Sequence, residues 1–135
     1  MIETVILVLG ITILLVLVSR LWRSPKQAKK EIKPNEARLY FFYTTWCGWS
    51  KKAQPEWEKV KAAIQAKPIF GTTKVEPIEV DAEQDRKLAD LYEVEGYPTI
   101  LLETSEGLSQ YQKRVSSDGV LQFLRQSLGK ERASL

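Results

Sequence analysis

A strand-like run, Phe41-Phe42-Tyr43, passes through Thr44 and Thr45 into Trp46-Cys47-Gly48-Trp49-Ser50, and from there into a helix-like run holding Lys51, Lys52, Trp57 and Val60. This junction restricts the chain to α/β folds in which a strand delivers the only cysteine to the start of a helix. A thiol in that place meets the unsatisfied N–H groups of the first helical turn and the positive end of the macrodipole. Both favour thiolate over thiol, so Cys47 is a candidate reactive group.

Patterning around the junction predicts a strand over Leu39–Tyr43, a helix over Ser50–Ala66, a strand over Val75–Val80 and a helix over Glu83–Tyr92. A hairpin of Thr99–Glu103 and Leu108–Lys113 follows, turning at Ser105-Glu106-Gly107, and a last helix over Asp118–Leu128. Ala53, Trp57, Val60 and Ile64 share one face of the first of these helices, and Val120, Leu121, Leu124 and Leu128 share one face of the last. Those faces are expected to cover the two sides of a four-stranded sheet. Gly129 to Leu135 reads as a flexible, frayed tail.

The motif Phe42-Tyr43-Thr44-Thr45-Trp46-Cys47-Gly48-Trp49-Ser50-Lys51-Lys52, followed by Pro55 and Trp57 and much later by Gly96-Tyr97-Pro98-Thr99, resembles the thioredoxin superfamily, and within it the protein disulfide isomerase branch. The resemblance spans Arg38 to Leu128. It implies a minimal α/β thioredoxin-like fold, βαβαββα, a four-stranded mixed sheet with helices on both faces. It implies a catalytic role for Cys47, with Ser50 beside it, and a client-binding rim of Trp46, Gly48, Trp49, Tyr97, Pro98 and Thr99. Pro98 is then expected to be cis and to lie against Cys47, with its neighbouring backbone free to pair with an extended peptide. Trp46 reads as the more structural of the aromatics, Pro55 as a tolerated kink, and Ser50 as a group that bonds the sulfur and caps the helix. Lys51 and Lys52 should lower the thiol pKa further.

Departures from the family pattern narrow the chemistry. Members that shuttle electrons carry a second cysteine three residues after the first, and Ser50 holds that place here. A dithiol attacks a substrate disulfide with one sulfur and expels the product with the other. Cys47 can do only the first step, so release waits for glutathione, another external thiol, or a cysteine of the client. Classical thioredoxins also place a buried Asp six residues before the nucleophile, where this chain has Phe41, and an accompanying lysine that falls at Pro77 if Asp81 is the strand-end Asp. With no second sulfur to deprotonate, neither group is needed.

At the N-terminus, Val5 to Val18 runs without charge or proline and is rich in Leu, Ile and Val, with Thr4 and Ser19 to Trp22 extending it. Its lack of a polar face, of preceding basic residues and of a small-x-small cleavage site favours a retained membrane helix over a core helix or a cleaved signal. Arg20, Arg23, Lys26, Lys29, Lys30 and Lys33 all follow it, and Glu3 alone precedes it. The positive-inside rule then puts the C-terminal domain on the cytoplasmic face, with the lumenal orientation usual for disulfide isomerases as the alternative; Trp22 falls in the interfacial belt, and the lysines either meet anionic headgroups or form a solvated linker. The expected layout is an anchor over 1–22 in contact with lipid through Thr4 to Trp22, a basic linker over 23–36, a thioredoxin-like domain over 37–128 and the tail over 129–135.

One cysteine excludes an internal disulfide, and the absence of histidine excludes His-based metal sites, Cys-His pairs and serine triads. The net charge of +3 comes from the linker, so no nucleic-acid partner is expected. Three expectations remain. The first is a membrane-tethered protein that forms mixed disulfides with clients, of isomerase or client-retention type. The second is a redox-inactive binding module on a membrane face, similar to the thioredoxin-like proteins of large DNA viruses, with capsid or assembly proteins as partners. In the third, Ser50 stands where a cysteine was replaced to trap substrates.

Overall fold

The computed structural model describes residues 1–21 and 31–132, with side chains described at 1–16 and 31–132. The chain separates into two units, Met1–Lys30 and Glu31–Leu135.

The first unit holds α1, Ile2–Leu21. Apolar side chains from Ile2 through Val16 are exposed around the whole circumference. The Thr4 and Thr12 hydroxyls donate to the Met1 and Leu9 carbonyls at 2.7 and 2.9 Å, so neither is left without a partner. Among the described residues no helix is long and apolar enough to cross a membrane. The expected transmembrane helix therefore finds no counterpart there. Trp22, Arg23, Lys26, Lys29 and Lys30, to which the interfacial belt and most of the linker were assigned, lie outside the described residues.

In the second unit the elements run β1 (Glu36–Tyr43), α2 (Gly48–Ala66), β2 (Ile69–Phe70), β3 (Thr73–Asp81), α3 (Arg86–Leu91), β4 (Thr99–Thr104), β5 (Gly107–Gln110), α4 (Ser117–Leu128) and β6 (Glu131–Arg132). One sheet has the order β5-β4-β1-β3-β2-β6. β1 runs parallel to β3, with Phe41 opposite Glu79, and antiparallel to β4, with Phe41 opposite Ile100. The fold is thus thioredoxin-like α/β with a mixed sheet, but of six strands rather than the four expected.

The two extra strands are two residues each and owe their existence to tertiary pairing. After α4, Gly129 adopts a φ of 103° and the chain turns back so that Lys130 O accepts from Gly71 N at 2.9 Å. Gly71 has a φ of 60°, and a Cβ there would run into the Leu128 carbonyl oxygen. Two glycines permit this crossing, and Arg125 clamps it through Nε and Nη2 to the two carboxylate oxygens of Glu131, both at 2.8 Å. The segment read as a frayed tail is, through Arg132, a sheet edge.

Period-two alternation in β1 builds both cores. Ala37, Leu39 and Phe41 point to one face, where Ala53, Trp57, Val60 and Ile64 of α2 pack together with Val120 and Leu124 of α4. Tyr40 and Phe42 point to the other, against Ala89, Tyr92 and Val80. The expectation that α2 and α4 cover opposite faces is corrected: both lie on one face, and α3 covers the other. α3 is shorter than expected because Asp81 Oδ1 first accepts Glu83 N at 3.0 Å and Asp85 then caps the helix at Leu88 N. β5 ends at Gln110 rather than Lys113 because Tyr111 turns inward, its hydroxyl donating to Arg114 O at 3.2 Å. The linker, expected through Glu36, gives way at that residue to β1.

Candidate functional site

Cys47 is the N-cap of α2, with φ −80° and ψ 120° and no side-chain cap bond. Strand β1 ends at Tyr43, and Thr44 and Thr45 make the turn. Two anchors fix that turn. Thr44 N donates to Ser50 Oγ at 3.4 Å, and Glu83 Oε2 accepts from Thr45 N at 3.0 Å and from Thr45 Oγ1 at 2.6 Å. Those two bonds hold the Glu83 carboxyl below its ordinary range, hydroxyl first and backbone second.

The Cys47 thiol is half-buried. Its pKa is lowered, foremost by the Ser50 backbone N–H, then by the Ser50 hydroxyl and the Trp49 N–H, while burial acts in the opposite sense. The helix terminus supplies these donors, as a strand-to-helix junction must. Against them, the thiol donates to Tyr97 O at 3.6 Å, a contact that favours the protonated form. Ser50 is buried at the third helical position. It lies beside the sulfur, but it does not cap the helix. Lys52 stands over the Trp49 ring, 5.1 Å from its centroid, and the groups that lower the thiol are N–H and O–H dipoles rather than the lysines.

The Tyr97–Pro98 bond is cis, and its carbonyl side faces Cys47. Tyr97 and Pro98 are half-buried. Thr99 is buried, and its hydroxyl donates to Gly96 O at 2.6 Å, which tightens the turn from inside rather than offering a surface to a client. Trp49 and Trp46 are 59% and 67% exposed, so Trp46, expected to be structural, forms part of an apolar rim. A Cβ on Gly48 would meet nothing within 4 Å, so that position is open toward solvent.

Beneath the junction the floor is apolar. Phe41 is fully buried and stacks on Trp57 with centroids 5.0 Å apart and planes 18° from parallel. Glu79 of β3, opposite Phe41 in register, accepts from Gln54 Nε2 at 2.6 Å and from Lys61 Nζ at 2.9 Å. Burial opposes its ionisation, but the hydrogen bonds from Lys61 and Gln54 prevail and its pKa is lowered.

A groove of about 830 Å³ opens between α2, the Pro98 turn and the segment 113–116, and reaches the thiol's neighbourhood through Tyr97, whose carbonyl Cys47 contacts. Arg114 sits 5.6 Å from the Trp49 centroid. Glu56, on the α2 wall, accepts from Lys59 Nζ at 2.6 Å and from Ser117 N at 2.7 Å, and these bonds hold its carboxyl down at about 2. Sequence reasoning missed Glu83, Lys113 and Arg114 as parts of this site. The signal for the last two was the basic pair just ahead of the Ser116 cap, obscured by extending β5 across it. Among the described residues no group of His, Cys, Asp and Glu could hold a metal ion.

Residues 22–126 match the family model described as thioredoxin. A protein disulfide-isomerase of Zea mays is 35% identical over 91 residues, which is 65% of this chain and 17% of that protein. The chain thus spans about a fifth of the length of such curated relatives. Among solved structures, human ERp44 superposes with a TM-score of 0.61 at 23% identity, covering 72% of this chain and 29% of that one. The first thioredoxin domain of mouse protein disulfide-isomerase A4 gives 0.58 at 23%, covering 73% of this chain and 68% of that one. At that identity the structures speak to the fold alone. None of these similarities supports the expected virion or capsid role.

Proposed function

Because this chain belongs to the thioredoxin family, we propose that it is a monothiol, disulfide isomerase-like protein in which Cys47 forms mixed disulfides with client proteins. The observation that carries this reading is the Cys47 thiol at the α2 N-cap, its pKa lowered by the Ser50 and Trp49 N–H groups, beside a cis-proline turn and two exposed tryptophans. The thiolate attacks one sulfur of a client disulfide, the S–S bond passes to Cys47, and the other client sulfur leaves as thiolate. With a single cysteine in the chain, resolution falls to the client's own thiol, giving isomerisation, or to an external thiol such as glutathione, giving retention until release. Ser50 stabilises the attacking thiolate and cannot resolve the adduct. The apolar floor of Phe41 and Trp57 suits this division, since no second sulfur requires a proton acceptor there.

The exposed apolar side chains of α1 and the basic residues after it support attachment to the anionic cytoplasmic face of a membrane. Anchored this way, the domain holds clients near a membrane surface.

The test is rapid alkylation of cells or membranes expressing the full chain, followed by non-reducing gels of the natural protein and of Cys47→Ala. A reducible ladder of adducts that disappears with Cys47→Ala supports the reading. Cys47 recovered wholly as free thiol, with no adducts, sinks it and leaves a redox-silent binding module.

A further inference from the structure

We infer that the groove beside Cys47 selects acidic client segments, so that Asp or Glu residues flank the client sulfur that reaches the thiol. This rests on the mixed-disulfide reading and adds to it the class of substrate. Lys52 on α2 and Lys113 and Arg114 on the segment before α4 line the groove, and all three are exposed. Among the described residues none of the three enters an ion pair. Glu56 is the one carboxylate in the lining, and its two oxygens are committed to Lys59 and to the Ser117 N–H, so it does not neutralise the other charges. Lys52 and Arg114 are drawn over the Trp49 ring at 5.1 and 5.6 Å, which holds two cations at the Trp49 wall of the groove instead of leaving them to range through solvent.

Across the Pro98 turn the charge changes sign, because Glu93 and Glu95 line the depression on the far side. An extended chain lying against Tyr97 and Pro98 is therefore drawn toward the Trp49 side by acidic residues and repelled from it by basic ones. A cleft lined by one sign of charge raises the local concentration and association rate of the opposite sign.

Synthetic peptides of equal length, each with one cysteine activated as a 2-pyridyl disulfide and flanked by Asp, Ser or Lys, measure this on the full chain. Cys47 thiolate attacks the peptide sulfur, the peptide–pyridyl S–S bond breaks, and pyridine-2-thione leaves and is read by absorbance. Each rate is divided by that with uncharged 2,2′-dithiodipyridine, which reports the thiol alone. At low salt the acidic peptide is expected to outrun the lysine peptide by roughly tenfold, less as salt rises, and Lys113→Glu with Arg114→Glu is expected to abolish or invert the preference. Equal normalised rates for all three peptides, or an acidic preference that survives the charge reversal, overturn the inference while leaving the mixed-disulfide reading intact. Failure to react even with dithiodipyridine overturns that reading instead. Fluorescence anisotropy with Cys47→Ala and unactivated peptides then decides the groove: tighter binding of the acidic peptide upholds it, equal binding of all three refutes it.

Discussion

Replacing Phe41 tests whether the apolar floor under the cysteine is what holds the site in place. The ring is fully buried, stacked at 5.0 Å on Trp57, itself fully buried, and at 5.7 Å on Tyr43. It lies on β1, which is hydrogen-bonded on both sides, to β3 and β4. Phe→Ala in a core costs about 3–5 kcal/mol, the higher values belonging to sites that cannot collapse into the void. A strand pinned between two neighbours cannot move inward, so Phe41→Ala is expected to cost about 4–5 kcal/mol, a large share of the roughly 5–15 kcal/mol that holds a domain together. Phe41→Asp places a carboxyl against Trp57 with no second sulfur to serve. Burial raises such a carboxyl's pKa above its unfolded value of about 3.9. The folded state then binds the proton more tightly, so the part of the cost of Asp over Ala that comes from ionisation grows as pH rises above about 4 and is lost below it, leaving the smaller cost of burying a neutral carboxyl. Urea titration followed by tryptophan fluorescence reads both variants, since Trp57 is buried and reports the core, and the slope should stay constant. A Phe41→Ala cost under about 1.5 kcal/mol, or an Asp variant with the same stability as Ala at every pH, refutes the reasoning.

Other expectations follow from the same geometry. Glu131 titrates at about 2, chiefly through its bond to Arg125, so its stabilisation is present above about 4.3 and lost as pH falls through about 2. Carboxyl NMR titration of Arg125→Ala should show Glu131 rising toward the ordinary glutamate value, and an unmoved midpoint would show the pair to be idle. Gly71→Ala meets both a φ of 60° and the Leu128 carbonyl, and should cost about 1–3 kcal/mol by chemical denaturation, whereas Gly48→Ala should change stability by no more than about 1 kcal/mol. The Tyr92 hydroxyl donates to buried Glu103 Oε2 at 2.7 Å and lies 2.9 Å from the Tyr40 hydroxyl, so Tyr92→Phe should cost about 1–3 kcal/mol in the same assay; no measurable loss would mean that the remaining partners of Glu103 suffice.

The sequence made the strand–cysteine–helix junction legible because three signals coincide there: the apolar run of β1, the period of Ala53, Trp57, Val60 and Ile64, and the Trp-Cys-Gly context. Gly96-Tyr97-Pro98-Thr99 likewise marked the turn that reaches Cys47 from a distant part of the chain. Strands β2 and β6 were not legible, since two-residue strands carry no period and exist only because Gly71 and Gly129 allow two backbones to meet. Helix faces were readable but not the side of the sheet each covers, which depends on the path of the crossover and not on the helix itself. Trp46 was misread for a related reason: an indole next to a buried turn packs or projects according to where that turn points. The basic wall of the groove escaped notice because Tyr111, by turning inward, converts what reads as strand into a loop facing Trp49.

The most direct measurement is the rate of Cys47 alkylation by iodoacetamide as a function of pH, on the native chain and again in denaturant. The helix N–H groups and the Ser50 hydroxyl should put the native midpoint clearly below the value of about 8.5 expected of a free thiol, and denaturation should return it there. A native midpoint at or above that of the denatured chain would mean that the Tyr97 carbonyl and burial prevail over the helix terminus, and Cys47 would lose its claim to mixed-disulfide chemistry.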